Sequence, residues 1–216
     1  PKKLYKFLKG KYKMKNTMNR ETYLNAMMDK ATPLFDNAGF KISDIRDKLK
    51  VSCSMMVGQR KSSKFQAIGQ HLPTNWSEGK NHEMLISPTL VDSVQVIGVL
   101  IHEMVHAIQS HLYHDDEGRL NVKPHGKEFR KIAIAVGLEG KMTATTESPE
   151  LVEKINSWIK ELGEYPHAKI NLDSRIKQST RMIKLECQCG FIARCSNGAI
   201  NKYGLPYHCD MEMDIV

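Results

Sequence analysis

One stretch of the chain, residues 94–112, reads VQVIGVLIHEMVHAIQSHL. Apolar side chains recur along it at intervals of three and four residues, at Val94, Ile97, Ile101, Val105, Ile108 and Leu112. This spacing predicts a long helix with one buried face, which follows Asp92 and ends near Tyr113.

A neighbouring face of the same helix carries His102-Glu103-Met104-Val105-His106. Residues four apart project from one side of a helix, so two imidazoles in this pattern can share one Zn²⁺. The glutamate between them can reach the water that such a zinc activates. The motif therefore predicts a zinc-dependent hydrolase of peptide-like bonds, with Glu103 as the general base. Gly98, one turn earlier, leaves room for substrate or another backbone segment to approach.

A catalytic zinc of this kind takes three protein ligands, so one ligand remains to be found. The metzincin pattern needs glycine and histidine where this chain has Gln109 and Leu112, which excludes that subfamily. His125 is the favoured third ligand, because it opens a second helix after a loop long enough to fold back. Glu128 and His114 remain alternatives.

The other histidines have less to recommend them as ligands. His111 lies about 140° round the helix from His106, and we expect it to miss the metal. We expect His71, His82 and His167 at the surface. A second donor to the reacting oxygen is expected, but the sequence does not identify it; Tyr113 and His114 are weak candidates.

The remaining pattern predicts an α+β fold. We expect further helices over Asn19–Asn37, Pro124–Gly137 and Pro149–Leu162, with Pro33 kinking or shortening the first. Strands are predicted at Val51–Val57, Phe65–Gln70 and Glu83–Ser87, in a small and largely antiparallel sheet. The predicted organisation is a basic arm over 1–17, a catalytic domain over 18–165, a linker over 166–180 and a cysteine-rich module over 181–216.

Composition narrows the class of protein and its partners. The net charge is +8 at pH 7, and residues 1–15 hold seven lysines and no acid. This favours anionic partners, nucleic acid first. No apolar run approaches the roughly 20 residues that span a bilayer, and no apolar segment follows the lysines as in an export signal. We therefore expect no membrane partner and a cytoplasmic location.

The cysteines are concentrated in the tail, where four of the five lie within the last thirty residues. Without an export signal this indicates metal binding rather than disulfides. Cys187-Gln188-Cys189-Gly190 is one residue short of a zinc-ribbon knuckle, so a ribbon that has lost its zinc is the alternative. The predicted ligands are Cys187, Cys189 and Cys209, with a fourth from His208, Cys195 or Glu212, in that order of preference.

Together, His102-Glu103-x-x-His106, His125-Gly126-x-x-Phe129 and the cysteine-rich tail resemble the SprT-like (Spartan-like) metalloprotease family. The resemblance extends from Thr22 to the end of the sequence. It implies His102, His106 and His125 as zinc ligands, Glu103 as the catalytic acid/base, and a compact zincin-type domain often followed by a zinc ribbon. Eukaryotic members cleave proteins crosslinked to DNA; small bacterial and phage members share the layout, and this chain is most similar to those.

These features predict a monomeric zinc endopeptidase that acts on DNA-associated or DNA-crosslinked proteins. They imply one catalytic Zn²⁺, a further structural Zn²⁺ if the tail is intact, and single-stranded or damaged DNA as a partner. Two alternatives stay open. One is a DNA-binding regulatory protein with a structural or vestigial zinc site, and the other is a phage or bacterial processing peptidase indifferent to DNA.

Overall fold

The computed structural model describes residues 18–58, 67–170 and 182–216, and the chain divides into two compact units between residues 171 and 172. The predicted basic arm and most of the predicted linker lie outside the described residues. Mixed helices and small sheets confirm the α+β class.

The first unit begins with helix α1, Arg20–Asn37. The side chain of Asn19 caps it by accepting a 2.7 Å hydrogen bond from the backbone N–H of Thr22. Pro33 lies inside this helix and does not end it. The buried stripe runs from Tyr23 past the proline to Phe35, so packing on both sides of Pro33 holds the helix together.

A three-stranded sheet follows, made of β1 (Leu49–Cys53), β2 (Gly69–Leu72) and β3 (His82–Ile86) in the order β1-β3-β2. β2 is antiparallel to β3, but β1 is parallel to it, so the predicted largely antiparallel sheet is wrong and the sheet is mixed. Residue alternation predicts where strands lie and which face is buried, but not the direction of the partner strand. Of the predicted Phe65–Gln70 strand, residues 65 and 66 lie outside the described part.

The long helix is α2, Ser93–Leu112, capped by the Asp92 carboxylate, which accepts from the backbone N–H of Gln95 at 2.8 Å. Helix α3, Lys127–Ala135, starts later than expected. Pro124 and His125 form a turn closed by a 3.0 Å bond from Gly126 N–H to the Lys123 carbonyl oxygen. His125 therefore precedes the helix instead of opening it, because the turn bond takes the place of the first helical turn.

The hairpin β4 (Leu138–Lys141) and β5 (Ala144–Glu147) leads into α4, whose bounds, Pro149–Leu162, match the prediction. Residues 163–170, which follow α4, still belong to the first unit. The ring of His167 and the backbone N–H of Ile170 both hydrogen-bond to the Pro88 carbonyl oxygen, at 2.7 and 3.1 Å. Residues at the start of the predicted linker are thus fixed to the first unit.

The second unit contains β6 (Met182–Glu186), β7 (Ile192–Ser196), the short helix α5 (Asn197–Tyr203), β8 (Tyr207–His208), β9 (Met211–Glu212) and β10 (Asp214–Ile215). β10 and β7 flank β6, both antiparallel to it. The apolar core of the second unit is small and consists of Leu185, Cys187 and Met213. Within the described ranges, no helix is long and apolar enough to cross a membrane.

Candidate metal centres

Three imidazoles converge at the middle of α2. His102 and His106 lie one turn apart on the helix, and His125 reaches them from the turn before α3. The Nε2 atom of His125 is 3.0 Å from Nε2 of His106 and 3.4 Å from Nε2 of His102. Three nitrogens bound tetrahedrally to one Zn²⁺ would be about 3.3 Å apart, given Zn–N bonds of about 2.05 Å. The spacing of these donors therefore fits one zinc ion.

The three rings are also in the protonation state that a metal needs. Burial, reinforced by the neighbouring histidines, lowers the pKa of His102 to about 4 and that of His106 to about 2. Burial lowers the pKa of His125 as well. Neutral imidazoles offer a lone pair to a metal without first losing a proton.

Two neighbours fix the orientation of these rings. The Thr145 hydroxyl of β5 lies 2.9 Å from Nδ1 of His102, which leaves Nε2 of that ring facing the cluster. The Phe129 ring packs against all three imidazoles, with centroid distances of 4.9, 4.5 and 5.0 Å to His102, His106 and His125. The aromatic residue four positions after His125 thus serves as the apolar wall of the site.

Gln109, which stands where a metzincin has glycine, has a structural role. Its side chain is fully buried, and its amide donates to the Lys123 carbonyl oxygen at 3.0 Å. Lys123 is also the acceptor that closes the turn holding His125. Gln109 therefore ties the third histidine to the helix that carries the first two.

Glu103 points from α2 toward the edge strand β2. Its side chain is buried, and burial raises its pKa to about 8. A cation held by the three histidines would favour the ionised carboxylate and oppose that rise. A Cβ built on Gly69 would lie 2.3 Å from Oε1 of Glu103 and 2.6 Å from Cγ1 of Val99, so a larger residue at this point of β2 would displace one or both side chains. Gly69 belongs to none of the motifs predicted from the sequence.

A cleft of about 1110 Å³ runs along this face of α2, lined by β2, the turn before α3 and the β4–β5 hairpin. The residue that approaches Gly98 is Glu147 of β5: a Cβ on that glycine would lie 1.4 Å from Oε1 of Glu147. The expected approach at Gly98 is therefore made by a side chain of the same molecule.

The surface positions expected for His71 and His82 are wrong. His82 is buried on β3, and Nε2 of His71 lies 3.0 Å from Nδ1 of His82. His71 lines the cleft, with its ring parallel to that of His106. Among the alternative ligands, neither Glu128 nor His114 belongs to the histidine cluster. Nδ1 of His114 contacts the His111 carbonyl oxygen instead.

A second cluster of metal-ligating groups lies in the second unit. Ligand atoms of Cys187, Cys189, His208 and Cys209 all lie within 4.8 Å of one another. Nδ1 of His208 is 3.4 Å from Sγ of Cys189 and 3.2 Å from Sγ of Cys209. Three thiols and one imidazole are a donor set typical of structural zinc. Of the three fourth-ligand candidates, the fold brings His208 to the cysteines and leaves Cys195 and Glu212 outside the cluster.

Two tight turns bring these donors together. Gly190, with φ of 87°, lets its N–H return to the Cys187 carbonyl oxygen at 2.7 Å, which folds Cys-x-Cys-Gly into a knuckle despite its short spacing. Cys209 and Asp210, with φ of 51° and 60°, form the two-residue turn between β8 and β9. A hydrogen bond from the Phe191 backbone lowers the pKa of Cys189, which favours the thiolate that binds metals.

The sequence itself also matches a known protein family. The model of the SprT-like family matches residues 32–148, more than half of the chain, and includes both histidine motifs. No curated protein and no solved structure matches the chain.

The contact between Gly69 and Glu103 yields a first prediction. Gly69→Ala should lower the free energy of unfolding by about 1–3 kcal/mol, because the added methyl group overlaps a buried carboxylate. Thermal unfolding measures this. Gly198→Ala in α5 is the matched control, because nothing lies within 4 Å of its Cβ. Equal melting temperatures for Gly69→Ala and the wild type would contradict the contact.

The cysteine cluster yields a second prediction. The purified protein should hold two zinc ions per chain, and Cys187→Ser should hold one, since three donors bind structural zinc poorly. Elemental analysis after dialysis measures the stoichiometry. Cys195→Ser should retain two ions. A single ion in both the wild type and Cys187→Ser would mean that the tail does not bind zinc.

Proposed function

Since the chain belongs to the SprT-like family, we propose that it is a zinc-dependent endopeptidase that uses His102, His106 and His125 as zinc ligands and Glu103 as general base. The family is associated with metalloprotease activity, which gives the reaction class. The convergence of three neutral imidazoles beside a buried carboxylate, on the floor of an open cleft, is the observation that carries the proposal.

When bound, zinc supplies a Lewis acid and lowers the pKa of a coordinated water to about 7. Glu103 accepts a proton from the attacking water and delivers it to the leaving amine. Its burial against Gly69 holds the carboxylate on one side of the cleft and limits its motion. The Thr145 contact to His102 and the packing of Phe129 keep the imidazoles in place through the reaction.

The cleft also offers a way to bind an extended substrate. β2 is one of the two outer strands of its sheet among the described residues, and it borders the cleft beside Glu103. An extended peptide could pair with such an edge and present its carbonyl groups to α2. This supports an endopeptidase acting on unfolded or flexible protein segments.

The proposed substrates are proteins on or near DNA. The net charge of +8, most of it from the seven lysines of residues 1–15, supports an anionic partner. A peptidase indifferent to DNA and a DNA-binding regulator without peptidase activity are the competing functions. The first would cleave protein at the same rate with and without DNA, and the second would bind DNA without cleaving protein.

Glu103→Gln tests the chemistry directly. The variant should keep the wild-type zinc content and lose at least about a hundredfold in kcat, because it removes the proton acceptor and leaves the ligands. Zinc analysis and cleavage of an unfolded protein such as casein measure the two effects. Glu128→Gln, on α3 outside the cluster, should retain both. Wild-type cleavage by Glu103→Gln would refute the role of this carboxylate.

DNA dependence is tested separately. Cleavage of a basic DNA-binding protein by the wild type should rise when single-stranded DNA is added, and the increase should fall as salt rises from 50 to 200 mM. Equal rates with and without DNA would indicate the DNA-independent peptidase. Salt-sensitive DNA binding, with no cleavage by the zinc-loaded protein, would indicate the regulator.

A further inference from the structure

His71 lies on the same face of β2 as Gly69, because side chains two residues apart along a strand point the same way. That face is turned toward α2: Gly69 meets Glu103, and the His71 ring lies parallel to the His106 ring at a centroid distance of 6.3 Å. His71 also lines the cleft. One strand thus contributes two neighbours to the site, a glycine beside the general base and an imidazole beside a metal ligand.

A buried partner holds the His71 ring. Nε2 of His71 lies 3.0 Å from Nδ1 of His82, so the rings meet edge to edge, with centroids 5.2 Å apart and planes 27° apart. Within the described residues, His82 is the only hydrogen-bond partner of the His71 side chain. Two facing imidazole nitrogens at this distance share a single proton, so one ring donates and the other accepts.

The shared proton can belong to either ring, and in only one of the two arrangements does His71 keep an N–H for another partner. In that arrangement His82 is the donor. The His82 proton then lies on Nδ1 and is donated to Nε2 of His71. The neutral His71 ring must carry its own proton on Nδ1, which has no protein partner among the described residues.

We infer that His71 is a further catalytic residue: its Nδ1–H donates a hydrogen bond to the carbonyl oxygen that becomes negatively charged as water attacks the peptide bond. His82 is its positioning residue. The proton stays on His71 throughout, so this step makes and breaks no covalent bond. The inference rests on the proposed peptidase function and supplies the second donor that the sequence analysis did not identify.

Another role for His71 would be a fourth metal ligand. Its ring nitrogens are not among the ligand atoms that lie within 4.8 Å of one another at the histidine cluster. A ligand would also need Nε2 free, whereas Nε2 is engaged with His82. The donor role uses the nitrogen that is left.

The tautomer is tested on the wild-type protein, independently of catalysis. A long-range ¹H–¹⁵N spectrum of the zinc-loaded protein, assigned by comparison with His71→Phe, should show His71 protonated at Nδ1 and His82 protonated at Nδ1. In His82→Phe the preference of His71 for Nδ1 protonation should weaken, since the fixed donor is gone. A wild-type His71 protonated at Nε2 would overturn the inference, because Nδ1 could then only accept.

Kinetics test the catalytic role. His71→Phe keeps an aromatic ring beside His106 and removes the donor. It should hold the same zinc and lower kcat about a hundredfold, as loss of one oxyanion donor does elsewhere, with KM changed less than about threefold. His71→Asn restores a donor and should recover part of the loss. His82→Phe should lower kcat less, through misplacement of His71.

The outcomes separate this inference from the proposed function. An unchanged kcat in His71→Phe, or a loss of zinc in that variant, would overturn the donor role while leaving the peptidase intact. A hundredfold loss in His114→Phe with His71→Phe unaffected would assign the donor to His114 instead. A zinc-loaded wild type that cleaves nothing would refute the proposed function and this inference together.

Discussion

The contact between α2 and β2 is the constraint on which the rest of the site depends. A carboxylate must be brought into a buried position beside three imidazoles, although burying a charge without a partner is costly. The raised pKa of Glu103 is the expression of that cost. Gly69 makes the arrangement sterically possible, since any side chain there would occupy the place of the carboxylate. β2 and α2 therefore form this part of the site together.

The third histidine is held by a different device. His125 lies in a turn outside any helix, where backbone motion would ordinarily be larger. The bond from Gln109 to the Lys123 carbonyl oxygen and the packing of Phe129 on all three rings fix that turn to α2. The same helix thus carries two of the histidines and restrains the third, so the cluster is anchored to the core of the first unit.

The sequence predicted features that depend on residues near one another in the chain. The periodicity of residues 94–112, the histidine spacing and the bounds of α4 are local, and they agree with the structure. The cysteine cluster was predicted from the concentration of cysteines in the tail, although the short spacing of Cys187 and Cys189 left a ribbon without zinc as the alternative. His208, favoured over Cys195 and Glu212, does lie with the three cysteines.

What the sequence missed depends on pairing between distant segments. The parallel direction of β1 follows from how the chain crosses the sheet, which strand patterns do not encode. The antiparallel pairing of β2 with β3 brings His71 beside His82, although both histidines sit in polar, loop-like sequence. Gly69 is invisible for the same reason, because its role exists only once β2 lies against Glu103.

The two clusters differ in a way that bears on their roles. The histidine cluster has three donors and opens onto a cleft, which leaves a coordination position for a reactant. The cysteine cluster has four donors in a unit whose apolar core is small, so a bound metal there would stabilise the fold and leave no position for a reactant. If both clusters bind zinc, the second unit holds a structural ion and the first a reactive one, and the two donor sets must be distinct. The sets do differ, with three thiols and one imidazole in the second unit and three imidazoles in the first, and each lies within its own unit.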